Sequence, residues 1–472
     1  MDKQPDRQTQ KYNMMTQMKV EPLILKMALP TIVSMLITSI YNMADSYFVG
    51  KIGTSATAAV GVVYPLMNII QAVGFFFGHG SGNFISRKLG AKEIGQAEQM
   101  ASTGFFSSLS GGLLIALLGI FCIHPLALLL GATETILPYA REYLFYVLLG
   151  TPFMTAALTL NNQLRFQGNA LYAMIGVMSG GILNMALDPL FIFTFGLGVS
   201  GAALATSISQ LISFVILLVG TNRKAIPIRL KNVRIKLYYI QNIVKGGLPS
   251  LFRQGCASVA TICLNHAVGG FGDAAIAAFS IVQRITTFAS SAMIGYGQGF
   301  QPVCGFNYGA GRFDRVKRGF WFCVQSSFLV LMLLAVAGFV FAPQLIEIFR
   351  DDPKVIEIGA AALRLQCITF PITGWIVLCN MMAQTIGESL KASLLAMSRQ
   401  FLFFVPALFL LSAFGGLEGI EWSQPVADVC SLIVSLWVGF SLSLIHISSF
   451  RSVLQTYKHR CKHHRLPLLL SG

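Results

Sequence analysis

Residues 49–59 read VGKIGTSATAA, and residues 268–278 read VGGFGDAAIAA, which matches the first stretch without a gap. The offset between the two stretches is 219 residues, the same as the offset from Lys26 to Lys245. Further pairs of identical residues obey it: Pro30/Pro249, Gly78/Gly297, Gly80/Gly299, Gly90/Gly309, Pro152/Pro371, Asn161/Asn380, Gly168/Gly387 and Phe195/Phe414. A constant offset over such a length indicates an internal duplication, so we predict two similar halves.

The composition is that of a membrane protein. Of the 472 residues, 54% are hydrophobic and 11% are charged, whereas soluble domains carry about 25% charged residues. A water-facing surface cannot be built from so few charges, so much of the surface is expected to face the lipid bilayer. The net charge of +15 does not indicate nucleic-acid binding, because the basic residues lie in short segments between apolar runs.

Mainly apolar runs of about 20 residues, long enough to cross a bilayer, recur along the chain. We predict twelve transmembrane helices, at 24–48, 57–80, 100–124, 136–160, 171–195, 199–221, 241–268, 275–299, 319–343, 355–379, 392–414 and 423–448. The expected fold is an all-α membrane protein of two six-helix bundles. Its segments are a polar N-terminal tail (1–22), an N-lobe (23–221), a basic linker (222–240), a C-lobe (241–448) and a basic C-terminal tail (449–472).

Lysine and arginine set the expected orientation. Most of the 34 basic residues fall in the two tails, the linker and alternate connections, to which we assign Arg165, and Arg399 is placed on the same side. The positive-inside bias therefore places both termini in the cytoplasm of a bacterial inner membrane. Six is an even number, so both halves enter from the same side. Such parallel repeats form a central cleft in transporters that work by alternating access.

Charged residues at membrane depth are costly, by about 2.5–3.5 kcal/mol on insertion scales, and are usually functional. The chain has few of them: Asp45, Asp188, Arg253, Arg284 and Asp428.

Two of these carboxylates have polar neighbours at helical spacing. Tyr41 and Asn42 precede Asp45 by four and three residues, and Asn184 precedes Asp188 by four, so each set shares a helix face. If the two faces converge, they form a pocket with two carboxylates and amide groups. Such a pocket can exchange a proton or supply oxygens to a small hard cation.

Other interpretations of these residues remain open. Asp45 lies near the outer end of its helix, and Asp188 precedes a proline and fits an interfacial position. Pro30 interrupts a helix either as a hinge or as a static kink. Arg253 fits a side chain that snorkels to the bilayer surface. Arg284 lies deeper and needs a partner, for which Asp428 is the candidate.

No catalytic motif is present. The chain lacks a GxxxxGK[ST] phosphate loop and an HExxH pair, and its nine cysteines form no CxxC pair. We expect no enzymatic activity, no resident metal and no cofactor other than a coupling ion.

Several motifs together resemble those of the multidrug and toxic compound extrusion (MATE) family, in its MepA-like and DinF-like bacterial branch, over about residues 20–450. They are ALPTI (28–32), NMADSYFVG (42–50), FQGNA (166–170), LNMALDPLFI (183–192), GVSGAALAT (198–206) and FNYGAGRFDRVKR (306–318). The resemblance implies a V-shaped fold of two lobes. It also implies export of small, often cationic or amphipathic compounds in exchange for H⁺ or Na⁺.

The resemblance further implies residue roles in the N-lobe. The expected coupling site, with Na⁺ as one candidate ion, consists of Asp45, Asn184 and Asp188, and the expected pocket lining adds Tyr41, Asn161 and Thr206. Pro30 matches the family's bend, and we place Arg284 at the central pocket. Some members carry acids in helices 7 and 10, where this chain has Arg253 and no acid at mid-membrane. A cation site in the C-lobe is therefore not expected.

Two rival functions remain. Flippases of lipid-linked precursors, in the same superfamily, carry large anions and call for a basic cavity, which Arg253 and Arg284 leave open. A membrane enzyme or receptor is disfavoured by the repeat and by the lack of a catalytic constellation. The expected partners are drug-like small molecules and the lipid bilayer, and the expected state is a monomer.

Overall fold

The computed structural model describes residues 7–463, without the side chains of Arg7, Thr54, Lys224 and residues 442–463. This part of the chain is helical and contains no β-strand. Its helices are α1 Arg7–Gln17, α2 Val20–Gly50, α3 Thr54–Gly90, α4 Ile94–Phe121, α5 Ile123–Leu129, α6 Leu137–Phe166, α7 Ala170–Pro189, α8 Gly198–Lys224, α9 Leu237–Gly269, α10 Asp273–Gly309, α11 Phe313–Val340, α12 Ala342–Glu347, α13 Pro353–Ile386, α14 Ser389–Met397 and α15 Phe404–His463. Of the predicted C-terminal tail, residues 464–472 lie outside the described residues, and only the backbone is described before them.

Twelve membrane crossings follow from these helices, as predicted. The N-lobe comprises α2, α3, α4, α6, α7 and α8. The C-lobe comprises α9, α10, α11, α13, α14 continued into α15, and the part of α15 after a break at Gly416, whose φ is 55°. Within residues 7–463, nine spans meet a length and apolarity criterion, and the one at Ser389–Ser441 holds two crossings. Helices α9 and α10 are as long as these spans but do not meet the apolarity criterion. Both helices line a cavity described below.

The outward faces of the lobes are apolar. Leu114 and Leu118 on α4 are 58% and 59% exposed, and Leu329 and Leu333 on α11 are 62% and 64% exposed. Contiguous apolar surface of this kind needs an apolar environment. The exposed leucines therefore face lipid, while the longest run of buried residues, Gly295–Asn307, lies in α10, where this helix packs against α2.

The duplication is visible in the turns that join the helices. Lys92 has a φ of 62° and its repeat counterpart Gly311 a φ of 70°. The next residue in each turn donates a backbone hydrogen bond to the carbonyl five residues earlier, Glu93 to Lys88 and Arg312 to Asn307, both at 2.8 Å. The two turns have the same left-handed closure. The C-lobe uses glycine there, which adopts this conformation without strain.

The lobes meet at the end of the bundle that carries residues 225–236, here called the linker end. Gly90 of α3 lies against the carbonyl of Phe306 in α10, and Gly309 of α10 lies against the carbonyl of Arg87 in α3. Gly90 and Gly309 are repeat counterparts, and so are Arg87 and Phe306. The two contacts therefore mark a pseudo-twofold axis, and a Cβ on either glycine has no room.

Inter-lobe hydrogen bonds become sparse away from the linker end. Thr31 Oγ1 donates to the Gly295 carbonyl at 2.7 Å. Among the described residues, the inter-lobe hydrogen bond furthest from the linker end joins Ser39 and Ser291 at 2.8 Å. The lobes are therefore closed together at the linker end and diverge towards the opposite end, which gives the predicted V shape.

Candidate functional site

A polar pocket lies inside the N-lobe between α7 and α8. Asn184 Nδ2 donates to Asp188 Oδ1 at 3.1 Å and to Thr206 Oγ1 at 3.3 Å. Asn184 is 3% exposed and Asp188 is completely buried. The helical spacing that predicts a shared face for Asn184 and Asp188 thus corresponds to a direct hydrogen bond, and α8 supplies Thr206.

Helix α2 brings the second carboxylate to this pocket. Tyr41 packs over Gly181 of α7, where an added Cβ would lie 3.1 Å from Tyr41 Cδ1. This close approach places Asp45, one turn further along α2, within electrostatic range of Asp188. Tyr143 of α6 is fully buried and interacts electrostatically with both carboxylates. We refer to Tyr41, Asp45, Tyr143, Asn184, Asp188 and Thr206 as the carboxylate pocket.

Three oxygens of the carboxylate pocket lack a hydrogen-bond donor. They are Asp45 Oδ1, Asn184 Oδ1 and Asp188 Oδ2, and all three are buried. A buried polar atom without a partner costs about 1–3 kcal/mol, and more when it is charged. A proton or a small hard cation would satisfy these atoms, because carboxylate and amide oxygens are the ligands that hard cations prefer. Among the residues whose side chains the structure describes, no cluster of three or more His, Cys, Asp or Glu is suited to a metal.

The chain beside Asp188 is irregular. Pro189 ends α7, and a π-helical turn, Leu190–Thr194, follows it. Proline lacks an amide hydrogen, and π-turns frequently occur at functional sites. The turn leaves Asp188 as the last buried polar residue of α7.

The structure does not bring Asn161 into the carboxylate pocket. Its Nδ2 donates to the Ala173 carbonyl near the start of α7, at 2.9 Å. Asp188 lies fifteen residues further along α7, about 22 Å away at 1.5 Å per residue. The repeat counterpart Asn380 donates in the same way to the Ala392 carbonyl, at 2.6 Å. Asn161 therefore joins α6 to α7, and the equivalent bond joins α13 to α14.

Pro30 lies inside α2, which continues as one helix from Val20 to Gly50. Ser34 Oγ donates to the Pro30 carbonyl at 3.0 Å. The next residue, Thr31, holds this turn against α10. Pro30 therefore lies at the inter-lobe contact, about 22 Å along the helix from Asp45.

A second polar site, which sequence reasoning missed, lies in the C-lobe. It is a cavity of about 270 Å³ between α9, α10, α13, α14 and α15, lined by polar side chains on one part of its wall and by phenylalanine, leucine, isoleucine and methionine on the rest. Its charged lining residues are Arg253, Arg399 and Asp428. We call it the C-lobe cavity.

The buried Asp428 pairs with Arg399 and not with Arg284, so the pairing suggested from the sequence is wrong. Arg399 Nε lies 2.7 Å from Asp428 Oδ1. Gln424 Nε2 donates to the same oxygen at 2.9 Å, and Thr369 Oγ1 donates to Oδ2 at 3.0 Å. Arg399 lies in a π-helical turn between α14 and α15, within the helix predicted at 392–414.

Arg284 and Arg253 differ in position from what the sequence suggests. Arg284 is exposed on α10 and is not among the residues that line the C-lobe cavity. Arg253 lines that cavity. It lies sixteen residues into α9, about 24 Å along the helix axis, which is too deep for simple snorkelling.

A network of buried polar side chains crosses between the lobes near the linker end. Arg165 of α6 is 2% exposed, which corrects its assignment to a surface connection. It donates to Gln298 of α10 at 2.5 Å and lies 3.2 Å from His79 Nε2. His79 Nδ1 lies 3.1 Å from Ser250 Oγ, which accepts from Gln384 Nε2 at 2.8 Å. These five residues form what we call the inter-lobe network.

Comparisons with known proteins agree with this architecture. The MatE family model matches the chain twice, at residues 30–190 and 249–410, and residue 249 is the repeat counterpart of residue 30. "Multidrug export protein MepA" from Staphylococcus saprophyticus is 29% identical over 415 residues, covering 87% of this chain and 92% of the relative. The Staphylococcus aureus strain MRSA252 protein of the same name is 27% identical with the same coverage.

A solved structure extends the likeness to three dimensions. A multidrug resistance MATE family transporter of the MOP superfamily, in an outward-facing conformation, superposes with a TM-score of 0.87. It is 26% identical and covers 92% of this chain, and this chain covers 98% of it. The two matches to the family model together span more than half of the chain, so this multi-pass membrane protein belongs to the MatE family of transporters.

Proposed function

We propose that this protein is a secondary active exporter that extrudes small, drug-like, often cationic or amphipathic compounds in exchange for H⁺ or Na⁺. It would act as a monomer in a bacterial cytoplasmic membrane, with both termini in the cytoplasm. The names of its relatives support drug-like substrates. The observation that carries the coupling role is the set of three unpartnered oxygens in the carboxylate pocket.

The carboxylate pocket gives the ion a means to bias the two states of the transporter. A bound ion shifts a conformational equilibrium only by its different affinity for the two states. Binding a cation at Asp45 and Asp188 neutralises the pocket and draws α2 towards α7. Helix α2 also carries Pro30 and Thr31 at the inter-lobe contact, so a change in its bend near Pro30 would be transmitted to the closed linker end and thereby release substrate.

Efflux of ethidium from drug-hypersensitive bacteria tests the proposal. Cells that express the wild-type protein should accumulate less dye than control cells. The variants Asp45→Asn and Asp188→Asn should lose this effect at equal expression. Asp314→Asn, which changes an exposed carboxylate at the start of α11, is the matched control and should export normally. Normal efflux by the Asp188→Asn variant would remove the assigned role.

Reconstituted liposomes distinguish the two candidate ions. Substrate uptake is measured under a pH gradient without Na⁺, and then under a Na⁺ gradient at equal pH on both sides. Uptake driven by the first gradient alone identifies H⁺, and uptake driven by the second alone identifies Na⁺. Uptake under neither gradient would contradict the antiport mechanism.

The second candidate, a flippase for lipid-linked precursors, is favoured by one observation. The C-lobe cavity contains Arg253, which suits an anionic headgroup. A well-expressed wild-type protein that exports no dye but translocates a fluorescent anionic lipid in liposomes would support this alternative over export.

A further inference from the structure

The C-lobe cavity contains charges that the proposed coupling mechanism does not use. Both oxygens of the Asp428 carboxylate accept hydrogen bonds, one from Arg399 and Gln424 and the other from Thr369. Its charge is balanced by Arg399, so the electrostatic character of the cavity depends on the remaining charged residue, Arg253.

Arg253 is not balanced. Among the residues whose side chains are described, it takes part in no ion pair within 4.0 Å and no hydrogen bond is found for it. An unpaired guanidinium at membrane depth is costly and is usually functional. The C-lobe cavity therefore presents one uncompensated positive charge.

A second guanidinium strengthens this positive field. Arg165 of the inter-lobe network is close enough to Arg253 for the two charges to repel each other. The partners of Arg165 are the uncharged Gln298 and Asn162 and the ring of His79, and its Nε is buried without an acceptor. Neither guanidinium has a carboxylate partner among the residues whose side chains are described, and the one that lines the cavity is Arg253.

The remaining wall is suited to an apolar body. Phe279, Phe370 and Phe404 line the cavity, together with Met293 and Met381. Ligand sites typically combine an apolar lining with a few convergent polar groups that fix orientation. An arginine fork binds a carboxylate by two parallel hydrogen bonds. The cavity therefore combines an anion-binding group with an aromatic surface.

We propose that the C-lobe cavity binds an amphipathic organic anion, with its anionic group on Arg253 and its apolar body against the phenylalanines. The Arg399–Asp428 ion pair also lines the cavity and adds no net charge to it. The consequence that such anions are exported rests on the proposed transport function. Binding itself does not, so the two can be tested apart.

Binding of 1-naphthylacetate to the purified full-length protein in detergent tests the proposal, by equilibrium dialysis. The neutral amide and the cationic 1-naphthylmethylamine serve as probes of similar size and different charge. The anion should bind at least about tenfold more tightly than the amide, because a charge-assisted hydrogen bond is lost in the amide. Equal binding of all three probes would overturn the proposal.

Three variants locate the site. Arg253→Gln should weaken anion binding by about tenfold or more and leave amide binding unchanged, whereas Arg253→Lys should retain an intermediate affinity. Arg284→Gln, on the exposed face of α10, is the matched control and should bind as wild type does. An Arg253→Gln variant that is monodisperse and binds the anion normally would contradict the assignment.

A variant that is expected to bind the anion more tightly excludes misfolding as the explanation of the weaker binding. Asp428→Asn keeps a polar group beside Thr369 and Gln424 but frees the charge of Arg399. Anion binding should therefore become roughly threefold tighter. Weaker binding in this folded variant would contradict the electrostatic argument.

Two further experiments test whether the anion is a lipid or a soluble molecule, and whether its binding is independent of the carboxylate pocket. In nanodiscs, phosphatidylglycerol should not compete with 1-naphthylacetate for binding. Competition would assign the site to a lipid headgroup and overturn the proposal that the ligand is a soluble anion. The Asp45→Asn/Asp188→Asn double variant should lose transport but bind the anion normally. Wild-type protein that exports ethidium and binds no anion would refute this inference alone.

Discussion

Arg165 of the N-lobe donates a hydrogen bond of 2.5 Å to Gln298 of the C-lobe, and the same guanidinium lies 3.2 Å from His79, the repeat counterpart of Gln298. One side chain thus bridges two symmetry-related positions in opposite lobes. Gln384, the counterpart of Arg165, contacts Ser250 instead. The duplicated positions have therefore diverged into one charged and one neutral member, and the charged member joins the lobes.

Loss of the Arg165 bridge should destabilise the closed linker end. Arg165→Met removes the donor from Gln298 and from Asn162 while keeping an apolar side chain. We expect a loss of about 2–5 kcal/mol in stability, because buried acceptors are left unpaired. The loss is measured as a lower midpoint for heat-induced aggregation in detergent. Arg364→Met, on an exposed face of α13, should change the midpoint little. Equal midpoints for the two variants would show that the bridge does not stabilise the closure.

The two glycines at the pseudo-twofold axis, Gly90 and Gly309, should be equally sensitive to substitution by alanine. Gly90→Ala and Gly309→Ala each introduce a Cβ against a backbone carbonyl of the other lobe. Each should cost about 1–3 kcal/mol through overpacking. Spin labels on α3 and α10 at the linker end should also report a larger separation of the lobes.

Gly95→Ala is the matched control for the axis glycines. Gly95 lies in α4, where an added Cβ meets no atom within 4 Å. Alanine favours a helix over glycine, so this variant should be neutral or slightly stabilising. A cost at Gly95 as large as at Gly90 would attribute the effect to the substitution and not to the axis.

The docking of α1 should depend on pH through Lys11. Burial lowers the pKa of Lys11 from 10.5 to about 8, and its Nζ lies 2.5 Å from Asn169 Oδ1. The folded protein releases this proton more readily than the unfolded chain does. Stability should therefore rise by on the order of 1–3 kcal/mol as the pH increases from about 8 to about 10.5.

The matched variant for this pH effect is Lys11→Met, which has no titrating group at this position. Thermal midpoints of wild type and variant are compared across pH 7–11, and only the difference between them is assigned to Lys11. The thermal midpoint of wild type relative to that of the variant should rise as the pH increases through the window. A difference that does not vary with pH would refute the burial of a charged lysine.

The Arg399–Asp428 ion pair should show strong energetic coupling. Asp428→Leu alone leaves Arg399 in the C-lobe cavity without its partner, and should cost about 3–5 kcal/mol. The double variant Arg399→Met/Asp428→Leu should recover most of that loss, because an apolar pair of similar volume replaces a buried ion pair at little net cost. Unfolding of the two single variants and the double variant gives the coupling energy, and additive losses would contradict a direct pair.

Sequence patterns were sufficient to predict the architecture, but they predicted the ends of the helices less well. The crossings follow from local apolar runs, and the duplication follows from a constant offset. Helix α3 nevertheless continues to Gly90, ten residues beyond the end predicted at 80. Its last turns contain Arg87 and Lys88, which an apolarity criterion excludes. Arg87 is accommodated because it donates to the Thr385 carbonyl of α13, a contact between the lobes.

Within the carboxylate pocket, the sequence was informative where the partners share a helix. Asn184 and Asp188 are one turn apart, so their hydrogen bond follows from helical periodicity. Tyr143 was missed, since it lies on α6 and no spacing in the sequence relates it to Asp45 or Asp188. Asn161 was placed in the pocket by motif, whereas the structure uses it to join α6 and α7.

The sequence alone determined that the chain crosses the membrane twelve times in two like-oriented halves, because hydrophobic length and repeat offset are properties of contiguous residues. The tertiary structure alone decided which polar groups meet. Arg399 pairs with Asp428, Arg253 lines the C-lobe cavity without a partner, and Arg165 is buried between the lobes. These relationships join residues on different helices, whose packing depends on the whole bundle and leaves no local pattern to recognise.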